Sequence, residues 1–180
     1  KTISDPYAGQ ISIFKVLSEK ISSNQIVKNS STDTPEKISQ LFFMKGKDQI
    51  QAEGAVSGDI AAAGKLKNTH TGDSLCGEKD SIKFNPIKFP EPAISFSIKP
   101  KSRSDEDKIS TVLHKLVEED PTFEDHLEEQ THELVISGMG ELHLKTMLNR
   151  MKNRYGVDVE IGTPKVAYRE TITGKGESKY

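Results

Sequence analysis

Histidines and carboxylates in the second half of the chain raise the question of a metal or hydrolytic site. His126 and His132 flank a predicted hairpin, and if they face each other across it they supply two metal ligands. No third ligand is evident, so a metal-dependent hydrolase stays open as an alternative. His132 and Glu133 also form half of a zinc-protease motif, but Ile136 occupies the second histidine position and the segment is predicted strand. We therefore predict no zinc-protease site.

An acidic run lies in the same region. The spacing and the central glycine of a calcium-binding loop are absent from it. We interpret the run as a solvated helix end and hairpin; its members are Glu118, Glu119, Asp120, Glu124, Asp125, Glu128 and Glu129.

Glycines at 138 and 140 follow a predicted strand and open a predicted helix, which is the setting of a dinucleotide fingerprint. The third glycine of that fingerprint is replaced by His143, and the strand is reached through a hairpin rather than a crossover. We therefore interpret Gly140 as the residue that permits a sharp strand-to-helix turn.

The helix that follows carries a second pattern. At about 100° per residue, Leu144, Met147, Leu148, Met151 and Tyr155 form its apolar stripe. One flank of that stripe, which we call the α2 flank, consists of His143, Thr146, Arg150 and Arg154. These side chains can hold an anionic or hydrogen-bonding partner, although most such edges are simply solvated.

The elements that position these residues form a β-α-β-β-α-β order. Ile94, Phe96 and Ile98 alternate as a strand, and Ser104 is the predicted cap of a helix that stops at Asp120 and Pro121. Two strands of a hairpin, the second helix and a final strand through residues 157–161 complete the order. This succession predicts a ferredoxin-like α+β domain.

The first half of the chain is predicted to be all-β. Apolar runs around residues 11–17 and 38–44 alternate with frequent glycine and asparagine, which indicates short strands in a small antiparallel barrel. The glycine- and alanine-rich segment 54–64 is interpreted as a strand packed against a neighbouring backbone. Phe89, Pro90, Glu91 and Pro92 form an extended linker between the halves.

Composition narrows the function classes. The chain has 180 residues with 25 Lys+Arg against 27 Asp+Glu, which does not favour a strongly basic nucleic-acid-binding protein. Aromatic residues make up only 6%, too few for a base-stacking platform, so a stand-alone RNA-binding module is disfavoured. No apolar run approaches the roughly 18 residues of a membrane span. The single Cys76 excludes an intrachain disulfide, and we expect a cytoplasmic location.

Six motifs, taken together, resemble bacterial elongation factor G in order and spacing. They are residues 58–63 (GDIAAA), 71–76 (TGDSLC), 89–92 (FPEP), 119–123 (EDPTF), 137–144 (SGMGELHL) and 168–172 (YRETI). The resemblance implies a second-domain β-barrel over residues 1–88, a ferredoxin-like third domain over 89–165 and the start of the fourth domain over 166–180. The short end of the chain also resembles the family's paralogues and the ribosomal protection proteins, so both stay open as alternatives.

The resemblance also implies a function. This family couples GTP hydrolysis to the movement of tRNA and mRNA through the ribosome. The chain contains neither Gly-x-x-x-x-Gly-Lys-Ser/Thr nor Asn-Lys-x-Asp. We therefore expect a non-catalytic middle fragment that holds no cofactor, with GTP and Mg²⁺ bound by a separate GTPase domain.

Partners and site residues follow from the same resemblance. Thr122, Leu142, His143 and Arg150 match family positions that line an interdomain cleft, where fusidic acid binds. His143 and Arg150 also lie on the α2 flank. The expected partners are ribosomal RNA, small-subunit proteins and the parent protein's own GTPase and C-terminal domains, with no membrane and a monomeric state.

Overall fold

The first half of the chain folds into short antiparallel strands. The computed structural model describes residues 1–5, 9–80, 82–166, 168 and 170–179. The strands are β1 (Thr2–Asp5), β2 (Gly9–Lys15), β3 (Lys20–Ser22), β4 (Ile26–Asn29), β5 (Thr34–Lys37), β6 (Leu41–Lys45), β7 (Asp48–Ala52), β8 (Gly54–Val56), β9 (Ile60–Gly64) and β10 (Leu75–Cys76). They form sheets ordered β1-β2-β9-β6-β7, β10-β4-β5 and β3-β8. The predicted β-barrel is confirmed.

Strand β9 lies at the centre of this domain and explains the alanine-rich segment. It pairs with β2 on one side and with β6 on the other. Successive strand residues point to opposite faces, so Ala61 and Ala63 pack into one buried cluster and Ala62 into another. All three are at most 1% exposed. Small side chains let both faces approach this strand closely.

The second half has the predicted β-α-β-β-α-β order. Its elements are β11 (Ile94–Pro100), α1 (Arg103–Glu119), β12 (Glu124–Glu128), β13 (Glu133–Gly138), α2 (Glu141–Tyr155) and β14 (Val159–Gly162). The antiparallel sheet has the order β12-β13-β11-β14, the spatial arrangement of a ferredoxin-like split βαβ unit. Both helices pack on one face, over a core that is separate from those of the barrel.

Helix α1 begins earlier than predicted. Ser102, rather than Ser104, is its N-cap: the Ser102 hydroxyl accepts a hydrogen bond from the Asp105 backbone N–H and donates one to the Asp105 carboxylate. The Asp105 carboxylate thus supports the cap through the Ser102 hydroxyl, not through the Ser102 backbone N–H as in a capping box. The helix ends at Asp120, as the following Pro121 predicts.

The close strand-to-helix approach before α2 depends on a different glycine from the one predicted. Gly140 has extended backbone with φ 174°, which any residue adopts, and a Cβ there meets nothing within 4 Å. A Cβ at Gly138 would lie 2.8 Å from Leu144 Cδ2 and 2.9 Å from His143 Nδ1. A side chain at 138 would therefore force Leu144 and His143 to shift. Gly156, with φ 67°, ends the helix.

The proposed histidine pair is wrong. In the β12–β13 hairpin His126 lies opposite Val135, and Glu128 lies opposite Glu133. His132 occupies the turn with φ 54°, where its backbone N–H donates to the Glu128 carbonyl. The two imidazoles are therefore not cross-strand partners, because the register of the hairpin places an apolar residue opposite His126.

Two segments lie outside the regular elements. Among the described residues between β10 and β11, the chain has no helix or strand and is largely exposed, including the predicted linker. The same holds for the described residues after β14, and Arg169 of the last motif lies outside them. The domain boundaries at 88 and 165 stay predictions. No helix in the described ranges has the length and apolar content that a membrane crossing requires.

Candidate functional site

His143 is fixed in place at the first turn of α2. Its Nδ1 accepts a hydrogen bond from the Met139 backbone N–H at 3.1 Å, so in the neutral ring the proton resides on Nε2. Nε2 lies 3.3 Å from Asp120 Oδ2, and the ring contacts Phe123 edge-on with centroids 6.3 Å apart. Nε2 is buried and poorly aligned for a hydrogen bond, so its contact with the carboxylate is chiefly electrostatic.

Asp120 connects His143 to Thr122. The Thr122 backbone N–H and hydroxyl donate to Asp120 Oδ1 at 3.0 and 2.6 Å. Burial works to raise the pKa of Asp120, but the two bonds from Thr122 and the nearby His143 outweigh it and hold that pKa below its ordinary value. The carboxylate at the end of α1 therefore orients two of the four predicted site residues.

The other two predicted residues are open to solvent. Leu142 is 79% exposed at the start of α2. The Arg150 side chain is 46% exposed, with Nη1 3.9 Å from Glu119 Oε2. Thr146, on the same flank, is exposed and donates to the Leu142 carbonyl at 2.8 Å. This part of α2 offers an apolar side chain, a hydroxyl and a cation to a partner.

Glu119 lies at the junction between the two domains. Its residue is only 4% exposed, although it was assigned to the solvated acidic run. Oε1 accepts from the Ser4 backbone N–H in β1 at 2.8 Å and from Arg154 Nη1 at 3.2 Å. A buried carboxylate is costly unless it is paired, and these donors supply the pairing.

Arg154 completes this junction from the far end of α2. Its Nη2 donates to the Ser4 carbonyl at 2.6 Å. Glu119 and Arg154 together therefore bind the backbone N–H and the backbone carbonyl of Ser4 in the barrel. Lys1 Nζ donates to the Glu119 backbone carbonyl. His70 Nδ1 lies 2.8 Å from Glu118 Oε2 beside it. The described contacts between the domains are therefore largely polar.

The four predicted residues thus form two linked groups rather than one cluster. Thr122 and His143 meet through Asp120, while Arg150 and Leu142 line the exposed edge of the same helix. Sequence reasoning missed Asp120 and Glu119 as partners of this flank. Their position directly before Pro121 was a signal, because the end of α1 must lie near the helix that packs beside it.

The arrangement suits noncovalent binding. In the part of the chain that the structure describes, no group of three or more His, Cys, Asp or Glu residues is placed to hold a metal ion. Arg150 of the α2 flank and the neighbouring Leu142 present a cation and an apolar side chain to solvent. The contacts of His143 with Met139 and Asp120 support the first turn of the helix. Such a surface can bind an anionic or amphipathic partner.

Comparisons with known protein families agree with this architecture. Residues 1–78 match the family model described as elongation factor G domain 2. Residues 89–163 match the model described as elongation factor G, domain III. The two matches follow one another along the chain and together cover most of it.

A solved structure shows the same arrangement. The chain is similar to a crystal structure of a protein from Thermus thermophilus, with 32% sequence identity and a TM-score of 0.80. The similarity covers 92% of this chain and 25% of that one. The chain therefore spans about a quarter of the length of this relative.

Proposed function

We propose a function for this chain from the family to which it belongs, elongation factor G, whose second and third domains it contains. It serves in a ribosome-dependent GTPase that moves tRNA and mRNA during protein synthesis. Domains 2 and III are non-catalytic parts of a translational GTPase. The observation that carries the proposal is the succession of both matches along one chain. The polar junction through Glu119 and Arg154 supports a joint role for them.

Within such a protein, this portion binds and transmits rather than catalyses. GTP and Mg²⁺ would be held by a GTPase domain, and no cofactor is assigned to these 180 residues. The proposed partners are ribosomal RNA and small-subunit proteins, together with the GTPase and C-terminal domains of the same protein. We also propose that the protein is a cytoplasmic monomer.

The interdomain cleft proposed for Thr122, Leu142, His143 and Arg150 draws support from their surroundings. Leu142 is an apolar side chain with 79% exposure, which is the kind of residue that a neighbouring domain covers. Arg150 is exposed, and the 3.9 Å between its Nη1 and the Glu119 carboxylate oxygen is too long for a hydrogen bond. It can therefore also bind an incoming anionic group. Fusidic acid, an amphipathic carboxylate, has complementary chemistry.

His143 and Thr122 would act as the fixed side of this cleft. Asp120 accepts hydrogen bonds from Thr122 and faces His143, so both side chains are already held in place before a partner binds. Preorganisation of this kind reduces the entropy cost of binding. Their contribution would therefore be to shape the cleft, while Leu142 and Arg150 supply its new contacts.

The proposed function is tested with the complete protein that contains this chain. We expect GTP hydrolysis that is stimulated by ribosomes, and movement of the mRNA by one codon in a toeprinting assay on pre-translocation complexes. Stimulated hydrolysis without mRNA movement would instead support a paralogue or a ribosomal protection protein. A protein that neither binds ribosomes nor hydrolyses GTP in their presence would refute the proposal.

A further inference from the structure

A cleft separates the barrel from one face of α1. Its volume is about 560 Å³. That volume lies within the range of small-molecule binding sites. The barrel contributes Ser4, Gly9, Gln10, Lys67 and His70, and the second domain contributes Ser110, Thr111, His114, Lys115, Glu118 and Tyr155.

Positive charge predominates among these described lining residues. Lys67 approaches from the barrel and Lys115 from α1. No ion pair with a carboxylate forms at either ammonium group within the described residues. Glu118 is the one carboxylate of this lining, and its Oε2 is already 2.8 Å from His70 Nδ1. Two lysines that face one cleft without carboxylate partners favour an anionic ligand.

Hydrogen-bond donors accompany the charge. Ser110, Thr111, His114 and Lys115 lie at i, i+1, i+4 and i+5, so they share one face of α1. Tyr155 lines the cleft from the end of α2, and the Lys115 ammonium lies 5.4 Å from the centroid of its ring.

We propose that this cleft binds a phosphate group, with Lys67 and Lys115 contacting it from opposite walls and α1 hydroxyls completing the site. Phosphate offers several acceptor oxygens and more than one negative charge, which matches cations and hydroxyl donors on two sides.

Because its walls come from both domains, a ligand held there links them. Lys67 follows the last long strand of the barrel, and Lys115 lies on the fourth turn of α1. A phosphate that contacts both lysines binds best when the domains keep the arrangement described above. By linkage, it would stabilise that arrangement, in addition to the direct bonds made by Glu119 and Arg154.

The experiment titrates the 180-residue chain with inorganic pyrophosphate and follows backbone amide NMR signals. We expect saturable shifts of Ser110, Thr111 and the residues around Lys67. The double variant Lys67→Met with Lys115→Met should bind at least about tenfold more weakly, because it loses two charge-assisted contacts. Lys47→Met, in the turn between β6 and β7 at the opposite edge of the sheet from β1, removes another exposed lysine and should bind like the unaltered chain.

A second variant keeps the test decisive if the double variant is poorly folded. Thr111→Val removes one exposed hydroxyl of the lining and keeps the shape of the side chain, so we expect a nearly unchanged melting temperature and pyrophosphate binding that is weaker by a few-fold. Shifts that do not saturate, or affinities that fall equally in Lys47→Met and in the cleft variants, would overturn the proposal. An unchanged affinity in Thr111→Val would exclude this hydroxyl from the site.

A further arm distinguishes the source of the phosphate. A short single-stranded RNA and a matched small phosphate ester are titrated under the same conditions. Competition of the RNA with pyrophosphate for the same amides identifies a nucleic-acid backbone as the ligand, whereas binding of the ester alone identifies a small metabolite. The readout needs no ribosome, so a failure here is separate from a failure of the proposed translocation activity.

Discussion

Two arginines one turn apart on the α2 flank differ in their contacts although both are partly exposed. At the C-terminal end of the helix Arg154 contacts a carboxylate that is 4% exposed and a carbonyl of the barrel. One turn earlier, Arg150 lies 3.9 Å from that same carboxylate, and the side chains of Arg154 and Arg150 are 37% and 46% exposed. Equal residue types at helical spacing can therefore differ in their partners, because Arg154 lies close enough to donate to Glu119 and to the Ser4 carbonyl, whereas Arg150 does not.

The strongest test of this contrast removes the buried carboxylate. Glu119→Ala leaves the Ser4 N–H and Arg154 without their partner, so we expect unfolding free energy to fall by about 3 kcal/mol. Urea denaturation at neutral pH measures it. The matched control is Glu118→Ala, whose side chain is 21% exposed and contacts His70; it should cost less than about 1 kcal/mol. Equal losses in the two variants would mean that burial of Glu119 contributes nothing.

The beginning of α2 is tested through its two glycines. Gly138→Ser places a Cβ within 2.8 Å of Leu144 Cδ2 and should destabilise the domain by about 1–3 kcal/mol. Gly140→Ser is the same chemical change in open space, at the N-cap of α2, where serine is favoured. Thermal unfolding should therefore show a lower midpoint for the first variant and an equal or higher one for the second. The reverse order would contradict the assignment of the close approach to Gly138.

Because Asp120 supports His143, we expect the free energy of unfolding to depend on pH. The pKa of Asp120 is lowered on folding, so its contribution is complete above the unfolded value and is lost as pH falls through the folded pKa. Asp120→Asn should therefore be less stable than the unaltered chain near pH 6. That difference should shrink toward pH 3 in urea denaturation. Asp125→Asn, on exposed β12, is the control; a gap that stays constant with pH for Asp120→Asn would exclude this linkage.

The smallest effect on stability is expected for a substitution at Arg150 of the α2 flank. Arg150→Ala should change the unfolding free energy of the chain by no more than about 0.5 kcal/mol, as exposed residues usually do. In the complete protein we nevertheless expect slower ribosome-dependent GTP turnover or altered fusidic acid sensitivity. Lys145→Ala, on the other flank and paired with Glu141, is the control. Normal turnover together with a normal drug response would remove Arg150 from the proposed cleft.

The elements could be predicted well from the sequence because their signals are local. The stripe of α2 and the helix stop at Pro121 depend on neighbouring residues, and the structure places both as expected. Ser102 was missed because both it and Ser104 are good caps, and only the side-chain contact with Asp105 distinguishes them. His126 was misplaced because hairpin register depends on the turn geometry, which the sequence alone does not specify.

The site was less predictable because its key partners are distant along the chain. Ser4 and Glu119 are separated by 115 positions, and no periodic pattern connects them. The acidic run gave no indication that one of its members is buried, since composition describes an average environment. Leu142 and Arg150 were named through the family resemblance, and their role in a cleft stays a prediction.

The way in which the barrel is bound at the junction affects how the sequence can diverge. Glu119 and Arg154 contact the backbone N–H and carbonyl of Ser4, not its hydroxyl. Any residue other than proline that is small enough for a site that is 8% exposed can therefore replace Ser4 and preserve those bonds. Change at 119 or 154 leaves the other charge unmatched, so these two positions should co-vary in an alignment of relatives while position 4 varies independently of both.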